Sequence, residues 1–166
     1  MDLMVHDLDY ARWVGGDVES VFAKKITKAF PDAPVDYATV ILKHRSGAIS
    51  HVAGAWAYPP PTFRTSFEIS GDAGMIEFDS DVSAPIRSLI QKPGNNAPDV
   101  GLPSSPTAES PYTTEIKEFY AALTDQIPVR VTAEDGLAAI QIALAAMESV
   151  RTGKAVTLSP LKEVQA

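Results

Sequence analysis

An aspartate and a histidine stand four residues apart at the start of the sequence, at Asp2 and His6. On a helix this spacing places both side chains on one face, and a carboxylate beside an imidazole orients the ring and favours its charged form. Such a pair can accept the proton of a substrate hydroxyl, as the oxidation of an alcohol to a ketone requires. The same spacing also produces ordinary surface pairs that contribute only about 0.2–0.5 kcal/mol. The pattern therefore predicts a candidate proton acceptor at His6 and leaves the surface-pair interpretation open.

A metal site is a weaker alternative for the same segment. Asp7 and Asp9 lie close to His6 in sequence, but on a helix they point away from it. The other two histidines are not at a ligand spacing, since His44 is expected in a turn and His51 on a strand. The chain has no cysteine, which excludes a thiolate zinc site and a cysteine nucleophile. We therefore expect no metal.

Two aromatic residues, Trp56 and Tyr58, lie where a strand leaves the sheet, next to three prolines. Aromatic rings at such a point could stack on a sugar ring, and a rigid turn with core aromatics is the competing interpretation. The Gly71–Gly74 segment links two strands and does not open a helix, which favours a hairpin turn over a phosphate loop. The sequence contains no Gly-x-Gly-x-x-Gly motif, so we expect no cofactor bound to this chain by itself.

The elements that position these residues follow from hydrophobic periodicity. A first helix is predicted over Leu3–Val14, with Met4, Leu8 and Ala11 on its buried face. Strands are predicted over Val18–Ile26, Asp36–Lys43, Ala48–Ala57, Arg64–Ser70, Met75–Phe78 and Ile86–Gln91. A proline-rich loop follows over Lys92–Pro111.

Two helices are expected to close the chain. One begins at Ser110-Pro111 and carries an apolar stripe of Ile116, Phe119, Tyr120 and Leu123. The other begins at Thr132, which forms a capping box with Asp135, and ends at Gly153. Its buried face is predicted to consist of its bulkiest apolar residues, Leu137, Ile140, Leu144, Met147 and Val150. Residues Ala155–Leu158 are a candidate edge strand.

This order of elements predicts an α+β fold, a mostly antiparallel open sheet with helices packed on one face. The third strand has small residues on both faces, so we expect a partner subunit on the face that the helices leave open. The net charge of -7 argues against nucleic acid or an anionic membrane as partner. No apolar run is long enough for a membrane helix. The lack of cysteine fits a cytoplasmic location.

Four segments in the right order resemble the C-terminal domain of the glucose–fructose oxidoreductase / inositol dehydrogenase (Gfo/Idh/MocA) family. The first is the Asp2-x-x-x-His6 helix, in which Met4 stands where many members have glycine. The others are the hairpin from Asp36 to Ala48, the Gly-x-x-Gly turn within Ile69–Phe78, and the last helix within Val131–Val156.

The resemblance implies a substrate-binding and oligomerisation domain that forms dimers or larger assemblies. It implies NAD or NADP as oxidant and a sugar, cyclitol or related alcohol as the small-molecule substrate. His6 would be the general base and Asp2 would tune and position it, while Trp56 and Tyr58 are candidate substrate contacts.

The family's Rossmann domain and its catalytic lysine have no counterpart in this sequence. We therefore expect residues 1–166 to form a single domain that is catalytically inert without a cofactor domain. A freestanding, non-catalytic module that binds a sugar or a partner through its sheet is the alternative.

Overall fold

The structure, a computed structural model, describes residues 4–29, 34–56, 64–80, 86–90 and 111–160. The chain divides into two compact units, one formed by Met1–Tyr58 and Pro128–Ala166 and the other by Pro59–Ile127. Antiparallel sheets and helices make up the described elements, which confirms the α+β class. No helix in these ranges is long and apolar enough to cross a membrane.

The described elements match the predicted order, with boundaries that differ by a few residues. They are α1 Met4–Gly15, β1 Val18–Ala29, β2 Pro34–His44, β3 Ile49–Trp56, β4 Ser66–Gly71, β5 Gly74–Asp79, β6 Ile86–Ile90, α2 Pro111–Thr124, α3 Ala133–Thr152 and β7 Val156–Thr157. Residues 92–110 of the predicted proline-rich loop lie outside the described residues.

The first unit is built on a four-stranded antiparallel sheet with the strand order β3-β2-β1-β7. Its two helices lie on one face of this sheet, since α3 contacts β1, α1 contacts β3, and the helices contact each other. The predicted burial of α1 through Leu8, Met4 and Ala11 is confirmed, because Leu8 belongs to the core cluster and the other two pack against it. Helices on a single face are therefore as the sequence predicts.

The prediction for the buried face of α3 is wrong. The residues of this helix that pack into the protein are small, and around Ile142 they include five alanines and Ser149. Leu137, Ile140, Leu144 and Met147 instead point outward, each 50–54% exposed, and Val150 is also exposed. Alanines allow α3 to approach the sheet and α1 closely, so the bulky residues are left on the opposite side of the helix.

Both ends of α3 follow the predicted signals. The Thr132 side chain accepts a hydrogen bond from the backbone N–H of Asp135, and the Asp135 carboxylate accepts one from the backbone N–H of Thr132, which confirms the capping box. Gly153 ends the helix with a φ of 72°, a left-handed conformation that glycine adopts readily.

The second unit contains a three-stranded antiparallel sheet with the order β4-β5-β6 and the helix α2. Phe67 and Phe78 face each other across β4 and β5 with stacked rings whose centroids are 5.3 Å apart. The bulky apolar residues of the predicted α2 stripe, such as Phe119 and Leu123, are exposed. The Gly71–Gly74 segment joins β4 to β5 as a hairpin turn, as predicted.

Candidate functional site

His6 lies on the face of α1 that points away from the sheet. Leu8, which is 2% exposed, marks the inward side of the helix. His6 precedes Leu8 by two residues and therefore stands about 200° away around the helix. The structure leaves His6 exposed, as this position requires. The imidazole can consequently meet a small molecule that approaches the outer side of α1.

Two acidic residues lie close to His6 in sequence, its predicted partner Asp2 and its neighbour Asp7. Asp2 lies outside the described residues, so its pairing with His6 stays a prediction. Asp7 is exposed as a residue, but partial desolvation of its carboxyl raises its pKa, and the charge of His6 acts in the opposite direction. Asp7 and His6 are adjacent on the helix, so their side chains point apart. Their charges nevertheless interact, because electrostatic interactions do not require the same face.

The two predicted aromatic contacts, Trp56 and Tyr58, fall at the edge of the described part of the chain. Trp56 is the last residue of β3, and the placement of its side chain is not among the described features. Tyr58 lies outside the described residues, so substrate stacking by these two rings stays a prediction. Within the described ranges, no group of three or more acidic, histidine or cysteine residues could hold a metal ion.

Close packing at Gly54 fixes the beginning of α1 on the sheet. A Cβ atom placed on Gly54 would lie 2.5 Å from Cγ of Met4 and 3.0 Å from its sulfur, closer than atoms pack. Met4 therefore rests directly on the backbone of β3, a contact that only glycine permits. This contact holds the helix two residues before His6.

A buried histidine fixes the other end of α1. The side chain of His44 is fully buried, with Nδ1 2.6 Å from the carbonyl oxygen of Gly16 and Nε2 2.8 Å from the hydroxyl of Ser50. Because a carbonyl only accepts, Nδ1 donates, and in the neutral ring Nε2 accepts from Ser50. A Cβ on Gly15 would lie 2.6 Å from this ring. The predicted turn from His44 to Gly47 is confirmed, since the backbone N–H of Gly47 donates to the carbonyl oxygen of His44. The burial of the His44 side chain at the end of β2 is an additional finding.

An ion pair joins α1 to the start of α3. Arg12 donates to the carboxylate of Asp135 at 2.8 Å and also pairs with Asp17 at 3.1 Å. The hydrogen bonds from Thr132 and Arg12 lower the pKa of Asp135 to about 2. The capping carboxylate therefore also holds the two helices together, and no local sequence signal indicates this second role.

The Gly71–Gly74 segment does not have the form of a phosphate-binding loop. Phosphate-binding loops in dinucleotide sites are rich in glycine and open a helix. The Gly71–Gly74 segment joins two antiparallel strands instead, and the whole sequence lacks the Gly-x-Gly-x-x-Gly motif. Among the described residues, this glycine-containing turn is therefore a strand connection and not a dinucleotide loop.

Comparison with known proteins gives the class of this chain. The family model described as the oxidoreductase family, C-terminal alpha/beta domain, matches residues 1–158. The chain belongs to this family.

Two curated relatives are similar over nearly the whole chain. The myo-inositol 2-dehydrogenase of Thermotoga maritima is 28% identical over 166 residues, which cover 95% of this chain and 48% of the relative. The inositol 2-dehydrogenase of Rhizobium meliloti is 26% identical, over 95% of this chain and 49% of the relative. The chain thus spans about half the length of these relatives.

Solved structures show the same fold. An oxidoreductase from Agrobacterium radiobacter, in complex with NAD+, L-tartaric acid and magnesium, matches with a TM-score of 0.71 and 24% identity over 94% of this chain and 48% of that one. The WlbA dehydrogenase from Bordetella pertussis, in complex with NADH and UDP-GlcNAcA, matches with a TM-score of 0.73 and 22% identity over 98% of this chain and 45% of that one.

Proposed function

We propose that this chain is the substrate-binding and oligomerisation domain of an NAD- or NADP-dependent oxidoreductase that acts on a sugar, cyclitol or related alcohol. The position of His6 carries the proposal, since it is an exposed imidazole on a helix that close packing fixes at both ends. Membership of an oxidoreductase family supports it, as do the names of the curated relatives, both inositol 2-dehydrogenases.

His6 is proposed to act as the general base. Oxidation of an alcohol to a ketone removes the hydroxyl proton and a hydride from the carbon that bears it. The imidazole of His6 takes the proton, and Asp2, four residues earlier, orients the ring and stabilises its charged form.

The group that accepts the hydride is proposed to be held by another domain or subunit. The chain has no dinucleotide motif, and it spans about half of each curated relative. In this proposal the 166 residues supply the substrate side of the reaction and are inert alone. Whether NAD or NADP serves as oxidant is then decided outside these residues.

A histidine substitution tests the catalytic role. We expect His6→Asn to lower kcat for the oxidation of myo-inositol with NAD+ about 100- to 10,000-fold, the usual contribution of a general base. The protein for this assay is purified from its native host. Asp9→Asn on the same helix is the matched control and should retain the activity. Full activity of His6→Asn would refute the role of His6, and a loss with Asp9→Asn alone would favour the metal interpretation.

Self-association through the open face of the sheet is the second part of the proposal. Successive residues of a strand point to opposite faces of the sheet, and Val40 and Val52 are buried under the helices. The residues that point to the opposite face are exposed, among them Ile41, Ile49 and Ala53. The same face carries Thr39 and His51, which are hydrogen-bonded to each other. A sheet face with exposed apolar residues and a few polar groups is typical of a subunit interface. It supports a homodimer or a larger assembly.

A charge on this face should separate the subunits. We expect Ala53→Glu to convert the assembly into monomers in light scattering, because the two-fold axis of a homodimer would place two buried carboxylates near each other. Ala133→Glu, at the exposed first turn of α3, adds the same charge elsewhere and should leave the mass unchanged. A monomeric unmodified protein would contradict the proposed interface.

A further inference from the structure

A methionine on α1 occupies the space that a side chain on β3 would need. A Cβ atom on Gly54 would lie 2.5 Å from Cγ, 3.0 Å from the sulfur and 3.8 Å from Cε of Met4. Carbon atoms pack at about 3.5–4.0 Å, so a glycine at this position lets Met4 lie against the backbone of the strand. The start of α1 is thereby held close to the sheet.

The conformation of β3 does not explain the glycine. Gly54 pairs with Ala38 in the regular register of β2 and β3, and its φ is not positive. Glycine in the interior of a strand weakens the strand, because it loses more conformational freedom than any other residue and has no side chain to pack. Close approach of another segment is a common reason for such a glycine. The segment that approaches Gly54 is the first turn of α1, through Met4.

This contact lies beside the candidate base. Met4 precedes His6 by two residues, about 3 Å along the helix axis. With alanine at position 54, Cγ of Met4 has to move by about 1 Å to reach an ordinary packing distance. Cγ is the first atom beyond Cβ, so it moves only by rotation about χ1 or together with the helix backbone. A shift of the first turn carries His6 with it.

The rest of α1 has attachments of its own. Leu8 belongs to the core cluster of the first unit. Further along the helix, Arg12 pairs with Asp135 at 2.8 Å. These contacts do not involve Gly54. A substitution at Gly54 should therefore displace the first turn of α1 and leave the remainder of the helix docked on the sheet.

We infer that Met4 and Gly54 are positioning residues for the reaction at His6. The inference rests on the proposed function and extends it from the base to the contact that sets the place of the base. The pair acts through the height of the first turn of α1 above the sheet, without touching the substrate. A general base has to lie about 2.6–3.2 Å from the oxygen whose proton it takes. A misplacement of about 1 Å can cost about 100-fold in rate.

Compensating substitutions test the inference in the protein purified from its native host. We expect Gly54→Ala to lower kcat for the oxidation of myo-inositol with NAD+ about 10- to 100-fold and to change KM less than about twofold, because the base is displaced while substrate binding is retained. Met4→Ala combined with Gly54→Ala gives the new methyl group room and should restore kcat to within about threefold. Gly71→Ala is the matched control, a strand glycine with open space at its Cβ, and should retain full activity.

Crystal structures of the same variants measure the position of His6 directly. With the strands β1–β3 superposed, we expect His6 to move by about 1 Å in Gly54→Ala and to return in the double variant. An unmoved His6 in Gly54→Ala, or a double variant as inactive as Gly54→Ala, overturns the inference.

Variants of Met4 decide the question if Gly54→Ala does not fold. Met4→Ala removes the contact and should lower kcat about tenfold. Met4→Leu keeps a Cγ atom on the glycine and should retain most of the activity. Full activity of Met4→Ala overturns the inference.

The inference and the proposed function can fail separately. The crystallographic result does not depend on which alcohol the protein oxidises. Full activity of His6→Asn would refute the proposed general base, and the crystal structures would still decide whether Met4 and Gly54 set its position. Loss of activity in His6→Asn together with full activity of Gly54→Ala would retain the proposed function and refute the positioning pair.

Discussion

Replacement of Gly15 by alanine should destabilise the protein because its new methyl group meets a ring that cannot move away. The added Cβ would lie 2.6, 2.7 and 2.9 Å from three atoms of the His44 ring, whereas carbon atoms pack at about 3.5–4.0 Å. The ring is fully buried and hydrogen-bonded at both nitrogens, to Gly16 and Ser50. Relief of the clash therefore requires a shift of α1 or the loss of at least one hydrogen bond.

Three contributions set the change in the free energy of unfolding. Overpacking of a core costs about 1–3 kcal/mol, and a strained or lost buried hydrogen bond adds about 1 kcal/mol. The better helix propensity of alanine returns about 1 kcal/mol. We expect a net loss of about 1–3 kcal/mol in the free energy of unfolding, measured by urea denaturation with far-UV circular dichroism.

Gly136→Ala is the matched control, since it is the same substitution in a helix with open space. No atom outside its own helix backbone lies within 4 Å of a Cβ at Gly136, so only the propensity term applies. We expect a gain of about 1 kcal/mol. The two substitutions should therefore change stability in opposite directions. Stabilisation by Gly15→Ala would refute the packing argument for His44.

Two further predictions concern the polar contacts of the first unit. The pKa of Asp135 is lowered from 3.8 to about 2, so its contribution to the free energy of unfolding is complete above about pH 4 and is lost as the pH falls toward 2. Asp135→Asn should therefore lower the free energy of unfolding by about 1 kcal/mol at neutral pH, after allowance for solvent screening, and make stability less dependent on pH in acid. Asp17→Asn is the control and should change stability little. Ser149→Ala removes the hydroxyl that accepts a hydrogen bond from the backbone N–H of Ala23. It should lower the free energy of unfolding by about 1–3 kcal/mol and speed amide hydrogen exchange at Ala23. An unchanged exchange rate at Ala23 would contradict the contact.

Local signals predicted the elements of this fold well. The start and the end of α3 depend only on residues a few positions apart, so both can be recognised in the sequence. They are the capping box of Thr132 and Asp135 and the C-terminal Gly153. The same holds for α1, whose buried side follows from Met4 and Leu8. The tight hairpin between β2 and β3 was likewise evident from its polar turn.

Features set by tertiary contacts could not be predicted in the same way. Periodicity shows that α3 has an apolar side, but it does not show whether alanines or bulky residues face the sheet. Ser149, buried on the alanine side, was the available clue, because a polar residue there can satisfy the edge of β1. The burial of His44 depends on Gly16, which follows α1 and lies 28 residues earlier in the sequence, and on Ser50 on the neighbouring strand β3.

The catalytic role of the candidate site stays a prediction. His6 is exposed on α1, because helix periodicity sets its side of the helix. The charge interaction between Asp7 and His6 was missed, since an argument from helix faces does not include electrostatics through space. The roles of Asp2, Trp56 and Tyr58 stay predictions.

A titration of the 166-residue chain with NADH and NADPH tests the central claim most directly. The exposed ring of Trp13 provides the fluorescence donor, and energy transfer to the reduced nicotinamide reports binding. The account predicts no saturable binding of either dinucleotide, because the chain supplies the substrate side and a separate domain holds the cofactor. Tight, saturable binding would place the cofactor site within these residues and contradict the account.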